Sequence, residues 1–445
     1  MLFDIEITGG TLVTPDGMFQ GTIGVKDGRI ASLTARPSGS ARESYDARNL
    51  LVLPGMIDEH VHFMEPPGND REDFITGSSA AANAGITTVI EHTHTAPVRT
   101  VEELDRKKDH LRSRSIIDYG LAAHVWPDHT DELAGMWKRG ISFFKAFSCE
   151  THGVPGLSNQ QMLRAFTKIA KFDGTVMVHC EDESITESAE EELKAKHLSD
   201  ASVMQDWRSK TAERVAVSNV TFLSQMTRVR TTIAHASHPA VVEIAQKART
   251  EGARISIETC PQYIFLNSRK IKKLGTFGKF TPPSRSSHES AAMALLLDSG
   301  VIDTIASDHA PSTRKQKTSG DIWDIHFGVP GIDTTLPLML TLVNRGSLNI
   351  RRLVSAYSEK PAKKFGLFPA KGSIRIGSDA DIILVDMNRK WKIGEGNIHS
   401  KAKWSPYSAI SLSGKAVKTF SRGVLVAEDG KVLTRPGHGR FVSHR

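Results

Sequence analysis

The sequence predicts an α/β fold: a (β/α)8 barrel carrying a small β-sandwich built from both ends of the chain. Short apolar runs alternate with longer amphipathic stretches through the middle of the chain, eight times in all. The two ends read differently, as strands broken by turns. Histidine, lysine and aspartate recur where the apolar runs stop, which is where barrels of this kind keep their chemistry.

The N-terminal stretches "DIEITGGTLVTPDG" and "GTIGVKDGRIASLTA" alternate apolar and polar residues between Gly-Gly, Asp-Gly and Lys-Asp-Gly turns. Near the C-terminus, "GSIRIGSDADIILVDMNRKWKI" and "KAVKTFSRGVLVAEDGKVL" do the same. Similar ends around a dissimilar middle predict that the termini meet in one sandwich. The expected division is 1–54 with 372–445 for the sandwich and 55–371 for the barrel.

The eight runs are "LVLPGMID" from Leu51, "ITTVIEH" from Ile86, "IDYGLAAHV" from Ile117 and "ISFFKAF" from Ile141, then "TVMVHC" from Thr175, "TTIAHAS" from Thr231, "RISIETC" from Arg254 and "IDTIASD" from Ile302. They are nearly continuously apolar, as expected of strands covered on both faces. Helical patterns lie between them. Met162, Leu163, Phe166, Ile169 and Ala170 fall at helical spacing behind Ser158 or Asn159 as cap. Pro239 opens "PAVVEIAQKART" in the favoured first turn, and "EDESITESAEEELKAKH" leads with acids and trails with lysines. An open doubly wound sheet is the alternative, but no Gly-rich phosphate fingerprint follows the first run.

Composition narrows the function. The 445 residues are 39% hydrophobic and 24% charged, ordinary globular usage. The net charge of +7 comes from scattered lysines and arginines, as in "RKIKK" and "RKQK", so no nucleic-acid footprint is expected. No apolar run reaches a membrane span, and the N-terminus lacks the pattern of a secretory signal. Cys149, Cys180 and Cys260 are an odd number without CxxC spacing. They predict packing thiols in a reducing cytoplasm.

The strand ends carry the chemistry. In an extended chain, residues i and i+2 share a face, so His60 and His62 aim at one point. Asp58 shares their strand; Lys145 lies in run four, and runs five, six and eight end in His179, His235 and Asp308. Each histidine taken singly is most simply a packed or surface residue. Together, neutral imidazoles and a carboxylate at equivalent strand ends are a divalent-metal site. His92, His94, His124, His152 and His309 lie near strand ends as well. Lys145 is the odd member, because an ammonium inside an apolar strand must be paired, snorkel or lose its proton.

The segments "PGMIDEHVHF", "TGSSAAANAGITTVIE", "FFKAF", "VHCED", "AHASHP", "ETCPQYIFL", "KFTPPSR", "ASDHAP" and "GVPGI" cover the chain. Through them it resembles the cyclic-amidase branch of the amidohydrolase superfamily: allantoinases, hydantoinases with dihydropyrimidinases, and dihydroorotases. The resemblance implies two divalent ions, zinc first, with manganese, cobalt or iron as alternatives. His60 and His62 would bind the more buried ion, with Asp308 as a further ligand. Lys145, carbamylated by CO2, would bridge the pair, and His179 and His235 would bind the second ion. It also implies attack of a metal-bridging hydroxide on a ring amide, with Asp308 moving the proton to the leaving nitrogen. The partners expected are a small cyclic amide and a second copy of the chain, in a dimer or tetramer.

Departures from the family pattern bear on the substrate. Dihydroorotases carry an arginine and an asparagine where this chain has Met64 and His94, so a substrate carboxylate loses its charge-assisted partners. Hydantoinases typically carry a tyrosine where Glu150 stands. "HVHFMEPPGNDREDFITG" is most similar to allantoinases, whereas "ETCPQYIFL" and "GVPGID" lean toward hydantoinases. The expected order is allantoinase-like, then hydantoinase-like, then cyclic imide hydrolase. Expected substrate contacts are His94, Glu150, Thr281 and the backbone from Gly328 to Gly331, with residues 310–330 as a lid. A metal-free scaffold paralogue and a mononuclear deaminase are the rivals. The complete set of six ligand positions argues against the first, and the strand-four lysine against the second.

Overall fold

The computed structural model describes residues 2–66, 70–151, 153–408 and 410–444. The eight predicted runs become the barrel strands β1 (Met56–Val61), β2 (Ile86–Glu91), β3 (Asp118–Leu121), β4 (Phe144–Phe147), β5 (Thr175–His179), β6 (Arg230–Ile233), β7 (Ile255–Thr259) and β8 (Thr304–Ile305). All neighbouring pairs are parallel; Ala123–His124 continues β3 and pairs with β4. The seam between β1 and β8 closes just beyond the strand ends. There Val61 bridges His309, and the His62 N–H donates to the His309 carbonyl at 2.9 Å. Every residue of β1, β2, β4 and β5 is buried, as helices outside and side chains inside demand.

Local chemistry sets the intervening helices. Asn159–Ala170 starts at Ser158, whose hydroxyl accepts from the Gln161 N–H while Gln161 reaches back, a reciprocal cap. Pro239–Thr250 opens on its proline, and Glu183–Ala195 is capped by Asp182. Among the described residues no helix is long and apolar enough to cross a membrane.

Strands from both ends form one nine-stranded, mainly antiparallel sheet. It encloses its own apolar cluster, including Ile7, Leu12, Ile23, Val52, Ile382, Leu384 and Phe420. The run "LVLPGMID" divides between the two structures. Leu51–Pro54 pairs with Thr11 and Leu12 and with Ile382–Val385, and Met56 begins the barrel. Gly55 lies between them because a Cβ there would collide with the Thr87 side chain. Lys371, buried between barrel and terminal sheet, pairs with Asp118 at 2.7 Å and Asp381 at 2.6 Å. That ammonium, with Arg422, neutralises an acidic cluster that otherwise has the make-up of a cation site.

Residues 310–330, expected to be a long polar lid, are more firmly packed than their composition predicts. Ile322 is fully buried, and the buried Lys317 donates to the carbonyls of Lys279 at 3.1 Å and His326 at 2.9 Å.

Candidate active site

The barrel brings the predicted strand-end residues to one mouth. His60, His62, His94, Lys145, Phe147, His179, His235, Thr281, Asp308 and Gly328 border a single cavity, with Phe280 and Phe327 closing it. His60 Nε2 stands 3.5 Å from Lys145 Nζ and 3.3 Å from Asp308 Oδ1. His62 Nε2 stands 3.2 Å from the same oxygen. His179 Nδ1 and His235 Nε2 face each other at 3.0 Å. Donors sharing a tetrahedral ion at about 2.0–2.1 Å lie roughly 3.3 Å apart, so these spacings suit ligands gathered around cations.

The remote ring nitrogens are tied down. His60 Nδ1 meets Glu258 Oε1 at 2.7 Å, His62 Nδ1 meets the His92 carbonyl at 2.6 Å, and His179 Nε2 meets Glu181 Oε2 at 2.8 Å. Such anchors set the tautomer and leave the other nitrogen free to ligate. His235 Nδ1 is buried with no partner among the described residues. Burial, with Lys145 and neighbouring imidazoles adding to it, holds His60 and His235 well below the usual histidine range. Both are therefore neutral, the form that binds metal. His235 and Asp308 adopt φ of +38° and +47°, left-handed conformations that cost of order 1–3 kcal/mol and cluster at functional sites.

Lys145 is buried and has no carboxylate ion pair among the described residues. Burial pushes its ammonium down to about 8, against the opposing pull of Glu258 and Asp308.

Other predicted contacts separate. Thr281 borders the cavity, but its hydroxyl is spent on Glu181, donating at 2.6 Å. Gly328 borders it with φ +109°, where a Cβ would strike the Ala310 carbonyl. Gly331 stands behind the cavity wall, its N–H donating to His309 Nδ1 at 3.1 Å. Glu150 is exposed and borders a neighbouring cleft rather than this cavity. Of the further strand-end histidines, His94 lies with its ring tilted against that of His62, centroids 4.1 Å apart. His92 and His124 are buried beside the ligands, His309 contacts Glu72 at 3.2 Å, and His152 lies outside the described residues. Asp58 turns to Tyr357 and the Ser307 N–H, at 2.8 and 3.0 Å, and joins β1 to the end of β8. Burial pushes its carboxyl up to about 6. The three cysteines are free and buried, and burial pushes their thiols up, Cys149 to about 12. They pack rather than attack.

Sequence reading missed Glu258 and Glu181, although each is an acid set in an apolar strand or at its end ("ISIETC", "VHCED"). Burial alone would raise Glu181, but Arg208 at 3.5 Å, with His179 and Thr281, outweighs it and keeps the carboxylate ionised. Glu181→Gln is expected to weaken metal retention about 10–100-fold, measured by competition with a chelator. Unchanged retention would show that the His179 anchor is incidental.

The amidohydrolase family model matches residues 51–426. The chain is 33% identical to the L-hydantoinase of Paenarthrobacter aurescens, across 100% of this chain and 99% of that protein. It is 32% identical to the dihydroorotase of Methanosarcina acetivorans (99% and 95%) and 32% identical to the allantoinase of Rubrobacter xylanophilus (99% and 97%). The solved L-hydantoinase (dihydropyrimidinase) from Arthrobacter aurescens superimposes with a TM-score of 0.96 at 32% identity, covering 100% of both chains.

Proposed function

The chain belongs to the amidohydrolase family, as a hydrolase of cyclic-amide C–N bonds, and from there we propose that it opens a 5-substituted hydantoin ring at a pair of divalent cations. Allantoin, the ureido-bearing hydantoin, is the first substrate and alkyl or aryl hydantoins the second. The observation that carries the reading is that His60, His62, Lys145 and Asp308, at 3.2–3.5 Å spacings, border one cavity together with His179 and His235, 3.0 Å apart. Among the described residues no arginine borders the cavity, which disfavours a substrate whose ring carries a carboxylate.

In this proposal His60, His62 and Asp308 would hold one ion, His179 and His235 would hold the other, and Lys145, as its carbamate, would serve as a further ligand. Zinc is the first choice; mixed imidazole and carboxylate donors also suit manganese, cobalt or iron. The ions supply Lewis-acid activation of water and of the ring carbonyl. Asp308 receives the proton of the attacking water on a carboxylate oxygen and delivers it to the leaving ring nitrogen. Phe147, Phe280 and Phe327 keep bulk water from that exchange. His94 and the Gly328 backbone hold the ring. The same proposal assigns 55–371 to the catalytic barrel, 1–54 with 372–445 to a separate sandwich domain, and the protein to the cytoplasm as a homo-oligomer.

The test is a substrate panel with metal-loaded protein in bicarbonate: allantoin, alkyl hydantoins, dihydrouracil, dihydroorotate and cyclic imides. Ring-opened carbamoyl acids from the hydantoins, with near two ions per chain, are expected. Turnover of dihydroorotate alone, or release of ammonia, would overturn the assignment.

Because the Lys145 amine titrates near 8, CO2 capture should follow its neutral fraction. Below that value each pH unit changes the fraction about tenfold. At a fixed CO2 pressure, which holds dissolved CO2 constant as pH changes, the rate at which metal-free protein takes up zinc is therefore expected to rise steeply from pH 6 to 8 and level off above. Metal analysis of desalted samples taken over time reads it, and a flat profile would dissociate uptake from carbamylation.

A further inference from the structure

The far end of the barrel carries a cleft that the ring-opening chemistry does not use. It measures about 530 Å3 and lies beside the first residues of β3, away from the strand ends that hold the metal donors. Three elements meet there: β3, the helix Val101–Leu111 and the C-terminal segment 437–441. The segment runs as an added strand. The Tyr119 N–H donates to the Arg440 carbonyl at 2.9 Å, and the Val442 N–H donates to the Tyr119 carbonyl at 2.8 Å. Tyr119 is only 1% exposed. Its hydroxyl has no hydrogen-bond partner among the described residues, yet it is not among the unpaired polar atoms closed off from solvent. The residue's remaining exposure thus includes the hydroxyl, which opens on the cleft. Two of the three charges that act on the phenol, Arg112 and Asp109, belong to the cleft lining, and the third is its chain neighbour Asp118. A nearly buried hydroxyl left unpaired at the floor of a ligand-sized cleft marks where a ligand's acceptor belongs. Six charged side chains line the same cleft. Arg112 pairs with Asp109 at 2.9 Å, and Arg139 pairs with Asp105 at 2.7 Å. Lys108 and Arg440 have no carboxylate partner among the described residues. Lys108 donates to the Arg139 carbonyl at 3.2 Å and lies over the Phe441 ring, and the exposed Arg440 guanidinium has no acceptor. Asp118, behind Tyr119, is already neutralised by Lys371 and Arg422. Two positive charges are left over.

We propose that this cleft binds a phosphate group, either the free ion or the end of a small phosphate ester. The match is one of charge and of shape. A phosphate carries about −1.5 to −2 near neutral pH, which balances Lys108 and Arg440. Its donors are a guanidinium fork, an ammonium and a phenol, each from a different element. That spread suits a tetrahedral set of oxygens better than one planar carboxylate. Burial pushes the Tyr119 phenol up to about 12, so it stays protonated and donates. Cations meet the surplus positive charge, and neutral ligands leave it unbalanced. Bound phosphate ties the C-terminal segment to the helix and to β3, and so stabilises the folded chain by mass action. Nothing in this site depends on the ring-opening reading or on the metal ions.

Calorimetric titration of the full-length, metal-loaded protein at low salt tests it, with inorganic phosphate and glycerol 3-phosphate as separate probes and acetate as the planar monoanion. At least one phosphate probe is expected to bind roughly tenfold or more tightly than acetate. A tighter ester assigns the site to phosphate esters, and an ester that binds equally or more weakly assigns it to the free ion. Tyr119→Phe removes only the hydroxyl and should weaken phosphate about three- to tenfold. Arg440→Gln removes a charge-assisted donor and should weaken it about tenfold or more. Neither group has a partner to lose in the free protein, so both variants should fold as the wild type does. Absence of saturable binding, or acetate binding as tightly as phosphate, would overturn the site. So would an isotherm that both substitutions leave unchanged, which is the behaviour of phosphate held at the metal pair or elsewhere on the surface.

Discussion

Replacing Lys145 by methionine is expected to abolish hydrolysis while making the metal-free protein more stable. The activity loss should be about a thousandfold or more, the several kcal/mol that Lewis-acid activation supplies, and the purified variant should retain far less metal. The gain in stability has a separate origin. Burial lowers the Lys145 amine from 10.5 to about 8 in the folded protein. Between those values the unfolded chain binds a proton that the folded chain does not, so stability rises with pH across that window. Below about 8 both states are protonated, and the folded state carries the whole penalty, on the order of 3 kcal/mol. Methionine fills similar space without the charge. In chelator and CO2-free buffer at pH 7, its denaturation midpoint should therefore exceed that of the wild type, and the difference should shrink by pH 10. A variant that keeps its metal and its activity would remove Lys145 from the site.

Asp308→Asn is expected to lower kcat by about 10²–10⁴, the usual worth of a positioned proton carrier, with KM changed less than about threefold because ground-state contacts to the ring persist. Asparagine is the clean probe here for a backbone reason. Asp308 sits at φ +47°, and asparagine is among the few residues that tolerate the left-handed region well. The amide keeps an oxygen near His60 and His62 but cannot pick up and pass on a proton. Steady-state kinetics beside metal analysis separates the roles: full metal with collapsed kcat identifies the proton carrier, whereas collapsed metal reduces Asp308 to a ligand. Undiminished kcat would place proton transfer elsewhere.

Much of this molecule was legible before any coordinates. Strand alternation put His60 and His62 on one face, and both ring nitrogens do converge on the same Asp308 oxygen. Runs of apolar residues marked all eight strands, and Ser158 and Pro239 marked helix starts, because these signals depend on neighbours within a few residues. The division of "LVLPGMID" at Gly55 was not legible in that way, since it depends on Thr87 pressing against the backbone from another strand.

Local pattern alone was enough for the element order and the strand-end donors, and the motifs around those donors carried the resemblance to the amidohydrolases. The tertiary structure alone decided what holds those donors and what borders them. His60 is anchored by Glu258, 198 residues away, and Glu181 accepts from Thr281, 100 residues away. It also placed Glu150 at a neighbouring cleft, spent the Thr281 hydroxyl on a carboxylate, and set Trp207 against Trp323 from distant segments. Periodicity records which way a side chain faces along its own strand or helix. The partner that meets it comes from wherever barrel closure brings the chain back, and no local pattern encodes that.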